Sequence, residues 1–130
     1  MKKYVADTHA LFWYLTGSKR LGVNAKSAFD EALKGKAIIY VPSIVLAELY
    51  FLNEKLGLPL NFASIMKILR DSSQFTLVPF RALDILDFDK DRIIPEMHDR
   101  MIVGVARRKR AACLTIDPKI VASGLVKIVW

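Results

Sequence analysis

Ala37-Ile38-Ile39-Tyr40-Val41-Pro42-Ser43-Ile44-Val45-Leu46-Ala47-Glu48-Leu49-Tyr50-Phe51-Leu52 is the stretch on which the fold turns. Ala37 to Val41 reads as a strand, Pro42-Ser43 marks a helix start, and the segment Ile44 to Leu56 reads as a long helix stopped at Gly57, with Pro59 beyond it. Glu48 interrupts an otherwise apolar helix at a position expected to be largely buried. A buried carboxylate is costly unless it is paired, hydrogen-bonded or bound to a cation, so Glu48 calls for a partner. A salt bridge to a neighbouring helix is the bland way to supply one.

The same alternation extends in both directions. Upstream, Lys2 to Ala6 reads as a strand, Ala10 to Leu15 suits a helix, and a second helix runs from about Asn24, a candidate cap, to Leu33 before Gly35. Downstream, Asn61 can cap a helix reaching about Asp71, and Phe75 to Val78 is a strand closed by Pro79. A short helix over Arg81 to Leu86 and a charged, loop-like stretch from Asp87 to Pro95 follow. His98 to Lys109 has helical periodicity and leads into a strand, Ala112 to Thr115; Asp117-Pro118 makes a turn, and Val126 to Trp130 suits an edge strand. Strands alternating with helices imply a three-layer α/β/α sandwich around a mostly parallel sheet. With no repeat, linker or low-complexity tract, residues 1–130 read as one folding unit.

Composition narrows the function classes. The apolar fraction is 53% and mean hydropathy +0.27, which fits a sheet covered on both faces or an additional apolar surface for association. No apolar run reaches the roughly 18 residues that cross a bilayer, and Asp7 and His9 break the stretch after Met1-Lys2-Lys3 that resembles a signal peptide. A single cysteine, Cys113, excludes an internal disulfide and a cysteine-based zinc site, and points to a reducing cytoplasm. The net charge of +7, from 20 Lys and Arg against 13 Asp and Glu, favours an anionic partner such as nucleic acid.

In sheets of this kind ligands bind beyond the carboxyl ends of the strands, and the acids gather there. Asp7 follows the first strand, Asp99 begins the helix before the fourth, and Asp117 lies two residues after Thr115. Each has a bland reading, as a helix cap, an N-terminal charge or an Asp-Pro turn. With Glu48, however, they form a carboxylate set without cysteines or paired histidines, which suits Mg²⁺ or Mn²⁺ over Zn²⁺. Such a site beside a basic surface suggests phosphodiester hydrolysis. Thr115 could orient Asp117 or a metal-bound water. His9 and His98 read as structural or capping residues, Arg100 as a partner for a phosphate or an acid, and Glu96 as a solvated loop residue. Arg107-Arg108-Lys109-Arg110 reads equally as an RNA-backbone contact or as helix C-terminal cations.

Val5-Ala6-Asp7-Thr8-His9 with Leu11, Ser43 through Glu48, His98-Asp99-Arg100-Met101-Ile102 and Leu114-Thr115-Ile116-Asp117 resemble, in order and spacing, the motifs of the PIN-domain family, specifically the VapC-type toxins of toxin-antitoxin pairs. The resemblance spans nearly the whole chain. It implies that Asp7, Glu48, Asp99 and Asp117 hold Mg²⁺ or Mn²⁺ with support from Thr115, that the activity is endonucleolytic cleavage of RNA, and that the partners are a second copy and a small antitoxin. Met101, Val103 and Val105 depart from the small residues common along that helix. The loops 16–23 and 87–97 are candidate specificity elements.

A close variant of this reading and two other classes compete. A nuclease of the same architecture could process RNA or act on DNA, and a non-catalytic RNA- or partner-binding module could keep the acids for folding. A phosphoryl-accepting receiver domain requires two adjacent acids after the first strand and one after the third. Here the first strand supplies only Asp7, and the third ends Val78-Pro79-Phe80.

Overall fold

The computed structural model describes residues 1–130. Five strands, β1 (Lys2–Ala6), β2 (Ala37–Pro42), β3 (Phe75–Val78), β4 (Ala112–Leu114) and β5 (Ile128–Val129), form one sheet. All pairings are parallel and the order is β3-β2-β1-β4-β5. The helices are α1 (Thr8–Thr16), α2 (Val23–Leu33), α3 (Ser43–Lys55), α4 (Phe62–Asp71), a 3₁₀ helix (Ala82–Asp91), α5 (Met97–Lys109) and α6 (Pro118–Ser123). Right-handed crossovers put the connections from β1 to β3 on one face of the sheet and those from β3 to β5 on the other, which gives the three layers. No helix is long and apolar enough to cross a membrane.

The alternating chain forms this sheet because its strands have apolar residues for both faces. Val5, Ala6, Ile39, Val41, Cys113 and Leu114 are fully buried, against Leu11 of α1, Val45 and Leu49 of α3 and Ile102 of α5. Each such Val, Leu or Ile contributes about 1.5–3 kcal/mol relative to exposure. The chain order reverses between β1 and β4, where the two halves of the sheet diverge. Crevices at such switch points are where open α/β sheets bind ligands.

Several local expectations need correction. Helix α2 starts at Val23, so Asn24 is not its cap; the Asn24 N–H instead donates to the Trp130 carbonyl at 3.1 Å. Asp117-Pro118 is more than a turn, because Asp117 caps α6 through the Lys119 and Ile120 N–H groups. The stretch Asp87 to Pro95, read as charged and loop-like, is helical over its first half. The 3₁₀ helix continues to Asp91, which is fully buried and accepts from the two terminal guanidinium nitrogens of Arg107. Arg108 reaches Asp87 at 2.7 Å and Asp84 at 3.6 Å, and Lys109 lies 5.3 Å above the Tyr40 ring. Arg107 and Arg108 therefore anchor the 3₁₀ helix to α5, at the end of α5 remote from Asp99.

Candidate active site

Asp7 leaves β1 at the switch point. One carboxylate oxygen, Oδ1, accepts from the Thr8 N–H at 2.7 Å and the other, Oδ2, from the Thr115 hydroxyl at 2.6 Å. Asp7 is thus a helix cap, as the bland reading has it, yet its second oxygen ties β1 to β4. The Thr115 hydroxyl also accepts from the Asp117 N–H at 3.0 Å, so one buried threonine links two of the acids. Thr115 itself falls just past the last residue of β4.

Thr8 supplies a link that the sequence reading missed. It is buried, and its hydroxyl donates to Glu48 Oε1 at 2.8 Å, joining α1 to α3. The only signal for it was a hydroxyl between Asp7 and an apolar helix. Glu48 is less buried than expected, with its side chain 32% exposed, and its other oxygen faces His98 Nδ1 at 3.6 Å rather than a lysine or arginine. No salt bridge to a permanent cation explains it. Glu96, expected to be solvated, caps α5 by accepting the Asp99 N–H at 2.8 Å and lies 3.5 Å from His98. His98 and His9 cap nothing and stand on cleft walls. Arg100 meets neither an acid nor an open phosphate position, because its guanidinium donates to the Ile94 and Arg92 carbonyls.

Asp7, Glu48, Asp99 and Asp117 share one open cleft of about 570 Å³, with Phe51 and Lys55 of α3 on its outer wall. The electrostatics follow from crowding like charges in a partly dry site. Burial pushes the Asp7 carboxyl above its usual range against the pull of the Thr115 and Thr8 donors, and burial likewise raises Glu48. Asp99 is raised to about 6, first by burial and then by Asp117, Glu96, Asp7 and Glu48. It differs from the other three in having no donor to its carboxylate that could offset this.

In these rotamers no three Asp, Glu, His or Cys side chains stand close enough to ligate a single ion. The donor chemistry nevertheless fits a hard divalent cation: the acids are oxygen donors, their charges are in excess, and one lacks any partner. Replacing Thr115 by the isosteric valine is expected to destabilise the fold by about 1–3 kcal/mol, since it removes the donor to Asp7 and orphans the Asp117 N–H. A urea melt measures this, and an unchanged midpoint would show that the two links contribute nothing.

The overall fold is shared with solved structures. The chain matches VapBC2 from Rickettsia felis, solved with a DNA fragment from its promoter, at 17% identity and a TM-score of 0.67 over 97% of this chain and 96% of the other. It matches VapC20 from Mycobacterium tuberculosis, a toxin that cleaves the Sarcin-Ricin loop, at 17% identity and a TM-score of 0.67 over 98% and 99%. The PIN domain endonuclease Utp24 aligns at 19% identity and a TM-score of 0.50 over 93% of this chain and 75% of that one. No protein-family model and no curated protein sequence matches the chain. The fold is that of a PIN domain. Its strand order, 3-2-1-4-5, also differs from the 2-1-3-4-5 order of receiver domains.

Proposed function

We propose that this chain is a Mg²⁺- or Mn²⁺-dependent endoribonuclease and the toxin of a type II toxin-antitoxin pair. The observation that carries the reading is the convergence of Asp7, Glu48, Asp99 and Asp117 on one cleft at the switch point, with Asp99 raised to about 6. Hydrogen bonds hold Asp7, Glu48 and Asp117 in place, but no Lys or Arg forms a salt bridge with any of the four acids. Here burial and mutual repulsion leave a destabilised set that a cation would relieve.

The four carboxylates would hold the cation, with Thr115 orienting Asp7 and Asp117, and Thr8 orienting Glu48. When bound, the cation neutralises the phosphate and lowers the pKa of a water. Asp99, free of hydrogen-bond donors, is the carboxylate most open to a ligand. The likeness to VapC20 supports RNA as substrate, and that to VapBC2 supports a small antitoxin partner. Exposed Leu83, Leu86 and Phe51 offer apolar surface for that antitoxin and for a second copy, in a cytoplasmic setting that a buried free thiol tolerates.

The test is cleavage of RNA by the purified protein with Mg²⁺ or Mn²⁺, with EDTA, and with Asp99→Asn as the control for contaminating nuclease. Metal-dependent cleavage lost in the variant supports the reading. Equal cleavage by both proteins assigns the activity to a contaminating nuclease and withdraws the catalytic role given to Asp99. Binding of RNA that the Asp99→Asn variant retains, without cleavage by either, points to a non-catalytic module.

A further inference from the structure

A second cavity, of about 220 Å³, opens beside the acidic cleft and shares Asp7, His9 and Asp117 with it. Its α1 wall is aromatic. The His9 ring sits 5.4 Å from Trp13, one helical turn on, and Trp13 meets Trp130 edge-on at 5.8 Å. Its other wall is the turn after β4, where Ile116 is 55% exposed beside Pro118. The cavity is thus a slot, with rings on one side, an aliphatic face on the other and two acids at its end.

Trp130 is seated for this position. Its carbonyl accepts the Asn24 N–H, and a Cβ on Gly22 would stand 2.5 Å from the Trp130 backbone, so only glycine admits the indole there. Core packing explains the buried edges of the two tryptophans. It does not explain an exposed His9 over Trp13, or an exposed isoleucine facing them across a cavity.

We propose that this slot is a nucleobase subsite: an RNA base stacks on the His9 ring, which is tilted 54° from Trp13 behind it, and packs its other face against Ile116 with Pro118, which places its phosphate at the acids. This inference rests on the nuclease reading for its RNA substrate. An aromatic wall is sequence-tolerant because every base presents a π face, and base–aromatic stacking is a general device for single strands. Asp7 and Asp117 line both this cavity and the acidic cleft, so a base held in the slot would have its sugar-phosphate beside the acids.

The chain has two tryptophans, and both line the slot, so intrinsic fluorescence reads it without any need for turnover. Short single-stranded oligoadenylate and an abasic backbone of the same length would be titrated into Asp99→Asn protein in EDTA. The expected result is saturable quenching by oligoadenylate, much weaker binding of the abasic strand, and a loss of roughly 5- to 100-fold in affinity for His9→Ala and Ile116→Ala. His9→Phe keeps a ring without the imidazole and is expected to restore affinity. Both positions are exposed, so these variants are expected to fold, and circular dichroism checks that they do. Equal affinity for the abasic strand, no quenching, or full affinity in His9→Ala overturns the subsite. Wild-type cleavage is scored separately: cleavage without base dependence removes the subsite and leaves the nuclease, whereas base-dependent quenching without cleavage removes the nuclease and leaves the subsite.

Discussion

Asp99→Asn is expected to lose metal-dependent cleavage by more than about 100-fold, the upper end of what removing a mere supporting residue around a metal costs. The same variant is expected to melt higher than wild type in metal-free buffer. With its carboxyl raised to about 6, the folded state disfavours the charged form of Asp99 that prevails at neutral pH. Because the group is partly exposed, solvent screening discounts this penalty to about 1 kcal/mol, or roughly 3–6 °C in Tm.

The pH dependence has a definite sign. A carboxyl whose folded pKa lies above its ordinary 3.8 contributes stability that is complete below the ordinary value and lost as pH rises through about 6. Asp7 and Glu48, raised in the same direction, act with it. In EDTA the Asp99 contribution should therefore raise Tm as pH falls from about 7 towards 5, and Asp99→Asn should lack that increment. Saturating Mg²⁺ works oppositely because it binds the charged form, and is expected to stabilise wild type by about 2.7 kcal/mol at a hundredfold excess over its Kd. Thermal melts of both proteins at two pH values, with and without Mg²⁺, check all of this. A variant that melts lower than wild type in EDTA would make Asp99 a structural residue.

Asp91→Ala is expected to be the most destabilising single change, at about 3–5 kcal/mol against a total stability of about 5–15 kcal/mol for a domain of this kind. Asp91 is fully buried and holds the Arg107 guanidinium by its two terminal nitrogens; its loss leaves that cation, with its side chain only 28% exposed, without a partner. The damage would spread. The Asp91 carbonyl accepts the Ile94 N–H, the Ile94 carbonyl accepts from Arg100, and this segment delivers Glu96 to the start of α5. Replacing both partners, as Asp91→Leu with Arg107→Met, is expected to recover most of the loss, because the pair's own desolvation disappears with it. Urea melts of the single and double variants measure the effect. A cost below about 1 kcal/mol for Asp91→Ala would show that water enters and solvates Arg107.

The strand and helix pattern was legible because it is local. A strand such as Ala37 to Val41 and a helix such as that from Ser43 to Lys55 are set by apolar spacing, by Pro42-Ser43 and by Gly57, all within a few residues. The acids were legible for a related reason: Glu48 stands out against its apolar neighbours, and Asp7 and Asp117 lie at strand ends where turns are read directly. Their meeting in one cleft follows from parallel topology, which sends those ends to one edge.

Partnership between distant residues was not legible. The Thr115 hydroxyl binds a carboxylate 108 positions away, and Thr8 reaches 40 positions to Glu48. Along the chain Asp91 is one more charge in a charged, loop-like stretch, and only the fold pairs it with Arg107 and turns half of the basic run into internal ion pairing. The aromatic slot depends on Trp130 settling over Gly22, contacts that no spacing in the chain announces. The sequence by itself determined which segments are strands and helices and which acids stand at their ends, since those depend on neighbours along the chain. Tertiary structure alone decided which charges are spent on the fold and which side chains face the cleft, since burial and pairing depend on neighbours in space.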